Sequence, residues 1–315
     1  MEANKQILDK IKQLEEKFAA SGQDVLAYLD GLLHADYLTY WDYVQVDTLL
    51  SLQHPRTKFP DEKIFILYHQ ITELYFNLCL HELEQLSTKE NLDVDFFIAR
   101  MKRANKYFEA LTFSFDVMID GMEQEQFLQF RMSLMPASGF QSAQYRTIEI
   151  YATDFINLVA KDQRTAKQTA SIEEQYQSIY WKNGATEIAT GKKTLTLLQF
   201  EEKYDTHLLA IAEKLISSNI YQVFSRFSAE DQAKAANVLR NFDINVNINW
   251  PLCHYKSAVR YLQRNPEDIA ATGGTNWQKY LPPRFQKRIF YPTLWTETEI
   301  ENWGKAWVET HVFKQ

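Results

Sequence analysis

The stretch "PDEKIFILYHQITELYFNLCLHELEQL", Pro60 to Leu86, most constrains what this chain can become. Its proline stands where the first turn of a helix tolerates one, and Asp61 and Glu62 follow at the end where the peptide dipoles favour anions. From Ile64 to Leu80 the run is apolar nearly all round, so it predicts a long central helix that other elements surround. Those other elements are expected to be helical as well. Gly and Pro number only 9 and 8 among 315 residues. That is about half the average share, and few turn residues in a long chain mean few, long elements. The expected fold class is all-α, a large helical bundle-like domain.

The remaining periodic runs agree. Residues 7–18 alternate Ile and Leu with Lys and Glu at helical spacing, which suits a surface or partner-facing helix. Further helices are expected over 93–119, capped by Asp93 or Asp95, and near 123–133, 140–160, 197–218, 229–240, 251–265 and 296–310. Residues 162–195 are polar and read as an insertion or flap. The long loop "NPEDIAATGGTNWQKYLPPRF" has the length of a functional one. The expected organisation is an N-terminal amphipathic helix and arm over 1–36, suited to oligomer contacts, followed by one helical domain over 37–315.

Composition narrows the function. A net charge of -7 argues against a general grip on nucleic acid, and no apolar run reaches the roughly 18 residues needed to span a bilayer. The charged N-terminal helix lacks the apolar core of a secretion signal. Cys79 and Cys253 form no paired motif, which points to a reduced, cytoplasmic setting. There is no HExxH, CxxC, GxGxxG, phosphate-binding Gly-Lys-Ser/Thr loop or GxSxG elbow.

Of seven histidines, His34, His54, His207 and His311 lie in polar contexts and His81 late in a helix. His69 is different: it sits mid-helix, with Phe65 one turn before and Glu73 one turn after. It reads as a hydrogen-bonded core histidine or as a functional one. His254 follows "NINWPLC", with Trp250 four residues ahead and the small Ala258 one turn on. It reads as structural, or as the single imidazole that a flat macrocycle such as haem requires. Arg131 and Arg146 bracket "MSLMPASGFQSAQY". Each reads as half of an internal ion pair, or as a clamp for a substrate carboxylate.

The blocks "YWDYVQVDTLLSLQ", "FILYHQITELYF", "FRMSLMPASGFQSAQYRTIE", "WPLCHYK", "ATGGT" and "YPTLW" resemble, in order over about 37–295, the tryptophan 2,3-dioxygenases. These are haem enzymes that cleave the indole C2–C3 bond of L-tryptophan with O2, giving N-formylkynurenine in the first step of kynurenine-pathway tryptophan degradation. The resemblance implies haem b held by His254 as the metal ligand. It makes His69 the distal catalytic histidine on the indole N–H, and Arg131 and Thr272 the groups that bind the amino acid's charged end. It makes Phe65 and Phe127 walls beside the indole. Ser138 and Gly139 would run over the haem face, with Trp250 and Arg146 lining its pocket. It further implies a homotetramer in which Tyr40, Tyr43 and Val44 complete a neighbour's site.

The chain departs from the usual pattern at Pro60, at Pro251-Leu252-Cys253 and at Asn276-Trp277, the last beside the substrate flap. Two other functions fit the same residues: a related haem enzyme that mono-oxygenates another indole or phenol, and a non-catalytic haem-binding sensor. The pairing of Arg131 with Thr272 speaks against the sensor, which has no need to clamp an amino acid. A helical structural protein without cofactor is the plainest alternative.

Overall fold

A computed structural model describes residues 2–35, 38–134, 139–186, 192–262, 283 and 287–304. Among these residues the secondary structure is helical, with only two isolated β-bridges, Val159–Ile179 and Thr186–Lys193. The all-α expectation holds. No helix among them is long and apolar enough to cross a membrane.

The chain divides into two compact units, 1–54 and 55–315. The first holds α1 (Glu2–Ala19), α2 (Val25–Leu33), α3 (Tyr40–Val44) and α4 (Val46–Leu50). Within it α3 and α4 pack on each other. This unit has almost no core of its own. Val25 is buried, whereas Leu33, Tyr40 and Tyr43 are 78%, 74% and 78% exposed.

The second unit is built around α5 (Asp61–Thr88), a rod of about 42 Å. Two carboxylates of its first turn tie its start to neighbouring segments: Asp61 accepts the Glu123 amide at 2.6 Å, and Glu62 accepts the amides of Arg56 and Thr57. α6 (Val94–Ser114) packs along it, with Asp93 capping its first turn as expected. The short α7 (Asp116–Ile119) continues α6, and α8 (Gln124–Phe130) runs into a 3-10 turn, Arg131–Leu134. α9 (Ala143–Ala152) covers another side of α5. Fully buried Phe97, Phe108, Phe130 and Phe242 fill the spaces between, each worth about 1.5–3 kcal/mol of burial. α5 is not covered all round, as its composition suggests. Ile71, Leu74 and Leu78, one stripe of its surface, stay about half exposed.

The polar stretch after α9 is not a flap. Its α10 (Ile172–Gln177) and α11 (Tyr180–Gly184) send Tyr176, Tyr180 and Trp181 into the core, where Trp181 stacks on Phe140 and meets Phe200 edge-on. Lys182 is buried with Glu201 and Asp205 of α12 (Leu195–Lys214). Spaced rings among charged residues hide this core contribution from a hydropathy reading.

After α13 (Ile220–Ser225), the expected separate helices at 229–240 and 251–265 are one continuous rod: α14 (Ala229–Ile244), a π-turn (Asn245–Asn249) and α15 (Trp250–Leu262). Pro251 causes the π-turn. It has no N–H to give the carbonyl four residues back, and its ring crowds that carbonyl, so the preceding turn widens. The Trp250 amide accordingly reaches Asn245 O, five residues away. The asparagines that look like helix breakers are satisfied inside: Asn249 donates to Asn245, and Asn245 to Asn105 of α6, both at 2.9 Å. After a 3-10 turn (Pro292–Leu294) the described chain ends with α16 (Glu297–Glu301).

Candidate active site

His69 lies on α5 and His254 on the second turn of α15. The Nδ1 of His69 is 2.8 Å from the carbonyl oxygen of Phe65, and the Nδ1 of His254 is 3.0 Å from that of Trp250. A carbonyl only accepts, so in both rings Nδ1 carries the proton and Nε2 keeps its lone pair. Burial pushes His69 below its ordinary value of 6.5, against the opposing pull of the Phe65 carbonyl and the Glu73 charge. Burial also pushes His254 down to about 4, opposed by the Trp250 carbonyl and reinforced by His69. Both imidazoles are therefore neutral at pH 7, and each offers a bare nitrogen. They are close enough to feel each other's charge.

Aromatic rings link the two. His69 lies 6.5 Å from Tyr68, Tyr68 lies 5.8 Å from Phe115, and Phe115 lies 4.5 Å from His254. Tyr68 is anchored by its hydroxyl on the Leu111 carbonyl, so the wall is rigid. Trp250 meets His254 edge-on at 4.5 Å as well as holding its Nδ1. The His69 residue keeps exposed surface, so part of its ring faces open space rather than packed side chains.

Phe65 stacks on His69 at 4.1 Å, with Phe130 5.8 Å and Phe127 6.3 Å away. Arg131 follows Phe130 directly, opens the 3-10 turn and is buried, 7% exposed. Gln144 joins α9 to α5 by donating to both the carbonyl and the carboxylate of Glu73, one turn beyond His69. The structure thus gathers His69, Phe65 and Phe127 in one neighbourhood, with His254 and Trp250 in electrostatic reach of it. Gly139 opens a 3-10 turn (Gly139–Gln141), while Ser138 and Thr272 lie outside the described residues. Tyr40, Tyr43 and Val44 lie exposed on α3 of the first unit.

A family profile described as tryptophan 2,3-dioxygenase matches residues 32–239. The chain belongs to the tryptophan 2,3-dioxygenase family. It is 28% identical over 295 residues to a tryptophan 2,3-dioxygenase of Bacillus thuringiensis subsp. konkukian, covering 84% of this chain and 94% of that protein. It is 40% identical over 121 residues to one from Anaeromyxobacter sp. (38% of this chain, 45% of that protein). A third, from Ruegeria sp., is 40% identical over 119 residues (36% and 41%). The chain spans less than half the length of these last two relatives.

The tryptophan 2,3-dioxygenase profile covers His69, Arg131 and Arg146 and ends before His254, whose place rests on its own geometry. Arg146 takes the ion-pair role left open in the sequence. Its Nη1 donates to Glu149 at 2.9 Å and to the Tyr180 hydroxyl at 2.8 Å, so this guanidinium serves the core rather than the pocket beside Trp250. Glu149 also accepts Arg288 at 2.5 Å. Arg288, Glu149, Asn247 and Asp243 belong to no recognisable sequence motif. Charged residues inside the apolar runs "TIEIYA" and "RIFY" were the available signal.

Proposed function

We propose that the protein cleaves the indole C2–C3 bond of L-tryptophan with O2, using haem b held by His254, to give N-formylkynurenine. The observation that carries this reading is the pair of neutral imidazoles, each with Nδ1 locked on a helix carbonyl and Nε2 bare, in a chain of this family. The donor set fits the group. A porphyrin supplies four nitrogens and needs one imidazole with a free lone pair, set among apolar rings, and His254 with Trp250 and Phe115 meets that need. When bound, haem supplies the binding and activation of O2.

The chain's own residues orient the substrate. His69 Nε2 accepts the indole N–H, a role only the neutral ring performs, and Phe65 and Phe127 flank the indole. Arg131 pairs with the carboxylate of the buried zwitterion, whose charge must be met inside the fold, and Thr272 contacts the same end. Oxygenation of a different indole or phenol is the second substrate reading, kept by the Asn276-Trp277 departure beside the flap.

Self-association, as a homotetramer in which the first unit completes a neighbouring site, belongs to the same proposal. Its support is the apolar surface left open on that unit and along Ile71, Leu74 and Leu78. A cytoplasmic setting goes with the two buried, unbridged cysteines. The deciding experiment is an anaerobic titration of the reduced holoprotein with L-tryptophan followed by an oxygen pulse. Appearance of N-formylkynurenine absorbance with both atoms of labelled O2 in the product supports the reading. One labelled atom, or no product, overturns it.

A further inference from the structure

The π-turn Asn245–Asn249 sits one helical turn before His254 and is held by a buried polar cluster that the reaction does not touch. The cluster converges on Arg288, which is 7% exposed and lies beyond α15 in the chain. Its Nε donates to the Asn247 side chain, and its Nη2 to Val246 O at 3.2 Å and to the Tyr145 hydroxyl at 2.8 Å. Its Nη1 is paired with Glu149. Tyr145 itself donates to Val246 O at 3.0 Å. From the other side, Asn247 donates to Asp243 at 2.6 Å, and Asp243 accepts the amides of Phe290 and Tyr291.

Two neighbouring residues of the π-turn are thus fastened to a guanidinium that is itself fixed by a buried carboxylate. A π-turn adds a residue to one turn and so re-aims every side chain after it. Its extra slack allows the following helix to rotate about its axis unless something pins the turn. The Trp250 amide closes the widened turn on Asn245, and the Trp250 carbonyl takes the His254 Nδ1–H. Rotation of the turn is therefore passed through one residue to the ring.

We infer that Arg288 is a positioning residue for His254: by pinning Val246 and Asn247 it sets the direction of the His254 Nε2 lone pair. The inference rests on the haem reading above. A lysine at 288 keeps the charge beside Glu149 but cannot reach Glu149, Asn247, Val246 and Tyr145 together, since it lacks the planar fork.

The test compares wild type, Arg288→Lys, Asn247→Ala and His254→Ala, each purified and titrated with haem. The iron–imidazole stretching band is then read by resonance Raman. The expected result is a shifted or split band and a loss of about tenfold or more in haem affinity for Arg288→Lys, the usual size of an outer-sphere effect on a metal ligand. Asn247→Ala, which leaves the Arg288–Glu149 pair in place, shifts the band in the same sense and covers the case in which Arg288→Lys fails to fold. Wild-type band and affinity in both variants, with only a lowered Tm, overturn the positioning role. Wild type and His254→Ala that bind haem alike, or not at all, overturn the haem reading instead and the inference with it.

Discussion

The two histidine-bearing rods, α5 and α14–α15, reach the same local chemistry by different routes. In both, Nδ1 is tied to the carbonyl one turn back and Nε2 is left bare. α5 does this within an unbroken 28-residue helix, whose own spacing delivers Phe65, His69 and Glu73 to one side. The second rod needs a π-turn, a proline to cause it and a distant arginine to hold it. The lesson is about dependence. A residue on a regular helix is aimed by its neighbours in sequence, whereas one beyond an irregular turn is aimed by whatever clamps that turn.

The strongest way to break the comparison is to remove each imidazole in turn. His254→Ala is expected to abolish stable haem incorporation, read as loss of the Soret band. His69→Phe is expected to keep that band and lower kcat/KM by about 100-fold, the scale of a misplaced substrate. Equal loss of the band in both would erase the distinction between the two rods. Next in size, Arg131→Leu is expected to raise KM for L-tryptophan by about tenfold or more, since a buried carboxylate loses its partner. Steady-state kinetics with unchanged KM and kcat would remove Arg131 from the site.

A smaller effect sharpens the role of the neutral ring on α5. His69 is depressed below 6.5 by burial, so the folded protein holds it unprotonated where an unfolded chain would bind a proton. Its contribution to stability is full above 6.5 and is lost as pH falls below that value. kcat/KM is expected to stay level through 6.5 and to drop only at lower pH. A midpoint at or above 6.5 in the pH profile would mean that another group controls capture. The smallest effect is expected of Pro251→Ala, which restores the N–H whose absence opens the π-turn. Stability should move by no more than about 1 kcal/mol, while the visible spectrum of the haem-loaded variant changes as His254 turns. An unaltered spectrum would show that the clamp, rather than the proline, maintains the turn.

The site was unevenly legible. His69, Phe65 and Arg131 stand out because polar groups in apolar runs are conspicuous, and their helical spacing already puts the first two on one face. Arg146 was harder. An arginine inside a motif reads as pocket lining; Glu149 lies one turn on in the same helix, but only the fold brings Tyr180 to it. The stretch after α9 misled for a related reason. Tyr176, Tyr180 and Trp181 are diluted by charged neighbours, so their common burial has no periodic signature.

By itself, the sequence determined that this chain is helical, where its longest rod begins, and which two imidazoles lie in apolar surroundings. These follow from interactions between residues a few positions apart, which a linear pattern records. The tertiary structure alone decided that the asparagine-rich stretch before Pro251 stays helical and that Arg288 grips it. It also decided that Ile71, Leu74 and Leu78 of α5 stay about half exposed. Those outcomes depend on groups separated by tens to more than a hundred residues, whose meeting is set by packing and by the need to satisfy buried charge.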